Sequence, residues 1–107
     1  MSTTEVKYVI GVIPGERLHQ VTQALGAGEI YRLTVSEVEV VSSDAGALPG
    51  DEERRLRLEV AVNDAFLEPA LAAFRAVDDA SGEVWVSVLP VDEVIRIRTE
   101  ETGPEAI

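Results

Sequence analysis

Two helix patterns, each set between strand patterns, leave a chain of 107 residues few ways to fold. Val6–Ile13 (VKYVIGVI) is rich in β-branched residues and reads as a buried strand closed by Pro14-Gly15. From Glu16 the spacing of Leu18, Val21, Ala24 and Leu25 predicts a short amphipathic helix that stops at Gly26-Ala-Gly28. Residues 30–41 read as a long strand with one partly wet face. Residues 54–62 alternate cleanly, with Arg55, Arg57 and Glu59 on one face and Leu56, Leu58 and Val60 on the other. Asn63-Asp64 supplies cap chemistry for a second helix with the apolar stripe Leu67, Ala70, Leu71, Phe74 and Val77, and Pro69 in or near its first turn. After a turn at 78–82, residues 83–89 form another strand, in which Trp85 is expected in the core or at a subunit interface.

The order strand, helix, strand, loop, strand, helix, strand, with a short extra C-terminal strand, predicts an α+β fold. It is a ferredoxin-like βαββαβ sandwich in one domain over residues 1–107. Both helices would cover one face of an antiparallel sheet. Apolar residues on both faces of several strands make self-association the simplest cover for the other.

Charge and composition narrow the chemistry. A formal net charge of -11, with Lys7 as the only lysine, excludes a nucleic-acid surface, which needs a basic stripe to displace counterions, and an anionic membrane would repel the chain too. The absence of cysteine excludes thiolate metal sites and cysteine nucleophiles. His19, the single histidine, reads as exposed on its helix, with no second metal ligand near it, so the expectation is no enzyme and no metal. With no basic-then-apolar leader and no apolar run of spanning length, the chain reads as cytoplasmic and not inserted in a membrane.

Two stretches stand out. In Val94-Ile-Arg-Ile-Arg-Thr99, strand periodicity puts Val94, Arg96 and Arg98 on one face. Paired guanidiniums can grip a phosphate or carboxylate bidentately, and they can equally be the solvated charges of an edge strand. Residues 42–54 hold two glycines, a proline and an acidic run, and form a surface loop that is either a functional element or a plain hairpin tip.

The segment VIRIRTEETGPEAI resembles the C-terminal signature of the PII signal-transduction family, V-I/V-R-I-R-T-G-E followed by a short acidic tail. Leu33-Thr-Val-Ser-Glu-Val38 resembles its L-T-V-T-E-V strand, and the alternating strand from Arg55 to Val62 its K-V-K-I-D-V-A-I strand, so the similarity spans nearly the whole chain. The resemblance implies a homotrimer binding adenine nucleotides in clefts between subunits. By position, Arg96 and Arg98 would hold phosphates, Arg55 and Glu59 would lie near the nucleotide, and Leu33 and Thr34 would approach the adenine. Ser81 and Gly82 would belong to the phosphate-cradling B-loop at 78–83. The loop at 42–54, with Ser42, Ser43, Asp44, Leu48 and Arg54, would be the T-loop that docks on a membrane transporter or enzyme, and 99–107 the C-terminal tail.

The departures from the family also carry information. Its T-G-x-x-G-D-G-K turn is here Asp78-Asp-Ala-Ser-Gly-Glu83, with two glycines gone and Glu83 in place of the lysine. A carboxylate there repels a γ-phosphate by several kcal/mol before screening, which favours AMP, ADP or cyclic AMP over ATP unless Arg55 or Arg57 takes the lysine's role. The loop is short and lacks the tyrosine of nucleotidylated members, leaving Ser42 and Ser43 as phosphorylation candidates. These features resemble the divergent PII-like branch, some of whose members serve inorganic-carbon uptake and bind bicarbonate beside ADP or AMP. The alternative is a trimeric scaffold that has kept the fold and lost the nucleotide.

Overall fold

The computed structural model describes residues 5–41, 43, 46, 53–78 and 84–107. The expectations for Ser42, Asp44, Leu48, Ser81, Gly82 and Glu83 fall outside these residues. The chain runs β1 (Val6–Ile13), a 3₁₀ turn (Gly15–Arg17), α1 (Leu18–Ala27), β2 (Thr34–Val40), β3 (Glu53–Asn63), α2 (Asp64–Arg75) and β4 (Trp85–Val91). It ends in a hairpin, β5 (Ile95–Arg96) and β6 (Glu101–Thr102), and a last 3₁₀ turn at Gly103–Ala106. The four longer strands form one antiparallel sheet in the order β2-β3-β1-β4. Two helices on an antiparallel sheet of this order make the α+β, ferredoxin-like fold that the residue pattern implies.

The period of two along the strands decides what is buried. Val9 and Ile13 of β1 and Leu58, Val60 and Val62 of β3 project to the helical side and meet Val21 and Leu25 of α1 and Ala70, Ala73 and Phe74 of α2. No polar or charged residue among those described is buried in this core. At its centre Phe74 lies on Gly11, which is flanked across the sheet by Leu58 and Val86. A Cβ added at Gly11 would stand 2.2 Å from the Phe74 ring, so the ring occupies the space of a missing side chain.

Several boundaries differ from the sequence reading. Strand β2 begins at Thr34 rather than residue 30, because α1 ends in a Schellman closure. The N–H of Ile30 donates to the Leu25 carbonyl and that of Glu29 to Gly26, with Glu29 at φ 66, which turns residues 30–33 away from the sheet. Pro69 sits in the second turn of α2, not the first. Its missing N–H removes one helical bond, and its ring covers Gly28, where an added Cβ would lie 3.1 Å from the Pro69 Cβ. Strand β4 covers Trp85–Val91 and accommodates Pro90 because it is an edge strand.

The arginine segment differs most. In place of one extended strand, Ile95–Arg96 pairs back with Glu101–Thr102 through a turn at residues 97–100. The N–H groups of Thr99 and Glu100 both donate to the Arg96 carbonyl, and the turn closes with Glu100 at positive φ (61), while Gly103 (φ 64) turns the chain out of β6. A hydrogen-bonded turn outweighs two-residue alternation here because among the described residues no sheet edge is paired with residues 97–99.

Gly11→Ala is expected to destabilise the protein by about 2–3 kcal/mol through overpacking against Phe74. In a double-mutant cycle with Phe74→Leu, read by denaturant unfolding, the two losses should be clearly less than additive, and additive losses would show that the close approach costs nothing.

Candidate functional site

On the face of the sheet away from the helices, β3 presents Arg55, Arg57 and Glu59 in a row, as the alternation requires. The register sets Glu59 between Thr34 and Ile10, and Arg57 between Ser36 and Val12. Arg57 Nε lies 2.8 Å from Glu59 Oε1 as an ion pair off the hydrogen-bond line. The Tyr8 hydroxyl donates a short hydrogen bond to Glu59 Oε2. That bond, with burial as the second cause, pushes the Tyr8 phenol above its ordinary range. Arg55 donates to Glu53 Oε2 at 2.7 Å from Nη2 and stands over the ring of Trp85, 5.7 Å from its centroid. Trp85, expected in a core or interface, is 40% exposed in the single chain, on the same open face as half-buried Ile10 and Val12.

The second feature is a cleft of about 330 Å³ where β3 runs past the end of β2. Pairing of β2 with β3 stops at Thr34 opposite Glu59, so beyond Glu59 strand β3 keeps β1 as its only strand neighbour among the described residues. Residues 29–32, Arg96 of the C-terminal hairpin, and Pro104 and Ile107 beyond it close the opening. Its walls are Ile30, Tyr31, Ala61, Phe66, Pro104 and Ile107, and its charged residues are Arg32, Arg96 and Glu29. The cleft thus gathers two guanidiniums in a chain of formal charge -11, with Glu29 in its lining and Glu101 beside Arg96 as the opposing carboxylates. The Arg96 side chain is about one-third exposed, its Nε donates to the Ala106 carbonyl at 3.4 Å, and it lies 4.0 Å from Glu101. The same guanidinium thus holds the tail and faces the hollow.

The expected site residues are dispersed by this geometry. Arg96 lines the cleft, while Arg98 sits in the exposed turn beyond it, so the two arginines do not share one strand face. Leu33 packs against the core and Thr34 begins β2 opposite Glu59. Arg55 and Glu59 lie on the open face of the sheet, and Arg54 belongs to β3, opposite Glu39, rather than to the loop. Ser43 is exposed. The cleft also brings in Tyr31, Arg32, Asn63 and Phe66, which the residue pattern does not mark as a site. Tyr31, 78% exposed just before β2, is a large ring open to contact with something else, and only the structure reveals that exposure.

Comparison with known proteins adds a third line. The family profile described as Nitrogen regulatory protein P-II matches residues 6–101. Nitrogen regulatory protein GlnK1 of Methanosarcina mazei is 42% identical over 114 aligned residues, covering 95% of this chain and 97% of that one. Nitrogen regulatory protein P-II of Cereibacter sphaeroides is 30% identical over 112, covering 95% and 100%. The B. subtilis GlnK–ATP complex shares the fold with a TM-score of 0.84 at 24% identity, over 96% of this chain and 98% of that one.

Tyr8→Phe is expected to cost about 0.5–1 kcal/mol at neutral pH. Because the folded-state pKa is raised, the contribution is fully present below the ordinary phenol value of about 10 and is lost as pH rises through the folded value. Ultraviolet titration should find a tyrosine ionising above the ordinary range, and the variant should lack that step; an unchanged titration would remove Tyr8 from this role.

Proposed function

The chain belongs to the nitrogen regulatory protein P-II family, whose members are regulatory signal-transduction proteins rather than enzymes, and from that premise we propose that it is a trimeric adenine-nucleotide sensor. The observation that carries this reading is the cleft at the free end of β3, where the guanidiniums of Arg32 and Arg96 meet the apolar and aromatic walls of Ile30, Tyr31 and Phe66. Flat apolar walls suit a base, and a guanidinium fork suits a phosphate. That B. subtilis GlnK forms a complex with ATP supports an adenine nucleotide as the ligand class.

Each cleft is completed by a neighbouring subunit, and three copies are joined through the open sheet face. Trp85 and Leu89, both about two-fifths exposed, give that face the apolar content of an interface, and the Arg57–Glu59–Tyr8 cluster gives it polar register. Glu83 in the phosphate turn favours AMP or ADP over ATP, with Arg55, which stands over Trp85, as a substitute for the lysine. Nucleotide occupancy sets the state of the loop at 42–54, and that loop acts on a cytoplasmic enzyme or on the inner face of a membrane transporter. No helix among the described residues is long and apolar enough to cross a membrane. The names of the relatives tie their own regulation to nitrogen. The short loop also admits bicarbonate as a second ligand beside ADP or AMP.

Isothermal titration with AMP, ADP, ATP and cyclic AMP, with and without bicarbonate, tests this reading. The expected result is saturable binding with AMP or ADP tighter than ATP, weakened about 10–100-fold by Arg96→Ala and less by Arg96→Lys, which keeps the charge and loses the fork. A bicarbonate effect would appear as a change in ADP affinity. No binding by any nucleotide to an intact trimer would overturn the reading in favour of a scaffold that has lost its ligand.

A further inference from the structure

Residues 103–107 rest on the one guanidinium that the C-terminal hairpin gives to the cleft. The N–H of Gly103 donates to the Val94 carbonyl at 3.0 Å, and the 3₁₀ turn at Gly103–Ala106 then returns the chain to Arg96, whose Nε donates to the Ala106 carbonyl at 3.4 Å. That bond is longer than the ordinary N–H···O range of about 2.7–3.2 Å, so it is weak. None of these residues belongs to the buried core: Gly103, Pro104 and Ala106 are half-buried, and Glu105 and Ile107 are exposed. Pro104 and Ile107 nevertheless line the cleft. A segment seated by one long hydrogen bond, with no side chain in the core, can lift at little cost and without disturbing the sheet.

We propose that residues 103–107 are an autoinhibitory strap, in which the Ala106 carbonyl holds the Arg96 guanidinium until an anion in the cleft takes it. The proposal rests on the nucleotide reading of the same cleft for the identity of that anion. A phosphate offers the planar fork a full negative charge and two oxygens at once, whereas the tail offers a single carbonyl, so the phosphate displaces the tail and not the reverse. The seated tail raises the apparent dissociation constant in proportion to how seldom the guanidinium is free. Gly103 is the hinge of the strap. Its φ of 64 lies in the left-handed region that favours glycine, and an added Cβ would meet no atom within 4 Å. A side chain there penalises the turn and touches neither the cleft wall nor the core.

Two readouts on the full chain test the strap. By titration calorimetry, Gly103→Ala should bind ADP about 3–5-fold more tightly than wild type, because the left-handed turn is disfavoured and Arg96 is freed. Gly103→Asn, which tolerates that backbone, should match wild type, and Gly103→Ala should bring no gain in an Arg96→Ala background. The chain has no cysteine, so Ala106→Cys adds a single thiol to the strap. Its alkylation rate should rise about threefold or more with saturating ADP, and also without ligand when Arg96→Ala removes the seat. Unchanged or weaker ADP binding by Gly103→Ala, or a thiol that ADP protects, would show that the tail closes over the ligand and overturn the strap while leaving nucleotide binding in place. If ADP binds neither wild type nor Gly103→Ala, the nucleotide reading fails, and pyrophosphate then decides the strap by the same labelling: a faster rate upholds it and an unchanged rate overturns it.

Discussion

The contact between Phe74 and Gly11 is what the rest of the structure is built around. The ring is fully buried at the middle of the sheet, on a residue flanked by Leu58 of the core and by partly buried Val86, which packs against it. Burying a side chain of this size contributes about 1.5–3 kcal/mol, and here it also sets how near α2 approaches the sheet. The height of α2 governs its N-terminus, where Asn63 and Phe66 stand at the cleft, and the packing of Pro69 on Gly28 at the end of α1. A helix held further out would move the cleft wall as a unit.

One-sided cover has a second consequence. With both helices on one face, β3 can hold a polar row on the other at no cost in buried charge. The ion pairs and the Tyr8–Glu59 hydrogen bond on that row are partly solvated in the single chain and would contribute little there. Their value would rise in an assembly that excludes water, because the same pairs then act at lower effective dielectric while remaining mutually neutralised. A surface that combines neutralised charges with Trp85 and Leu89 is suited to bury itself against copies of the same chain.

The cleft arises where two terminations coincide. Strand β2 stops pairing at Thr34, and the chain beyond Val94 folds back as a hairpin whose Arg96 holds the tail at Ala106. Residues distant in sequence, from the end of α1, the end of β3 and the last turn, are thereby placed around one hollow. Arg96 both holds the tail carbonyl and lines the cleft, so an anion bound there would compete with the tail for one side chain.

Much of this was decided locally and was readable from residue order. The alternation of residues 54–62 placed Arg55, Arg57 and Glu59 on one face, and the three- and four-residue spacing of Leu67, Ala70, Leu71 and Phe74 set the buried side of α2. The order of the two helices and the four longer strands followed, and with it the fold class. What the sequence could not determine was where a pattern stops. Alternation runs through residues 30–33 and 94–99, yet a helix closure with Glu29 at positive φ delays β2 to Thr34, and a turn with Glu100 at positive φ ends β5 at Arg96. Such turns are settled by hydrogen bonds between particular backbone groups, which hydrophobic periodicity does not encode. For the same reason Asn63 read only as a helix cap. Its freedom from that duty, and its place on a cleft shared with Tyr31 and Arg96, exist only once the chain has closed around α2.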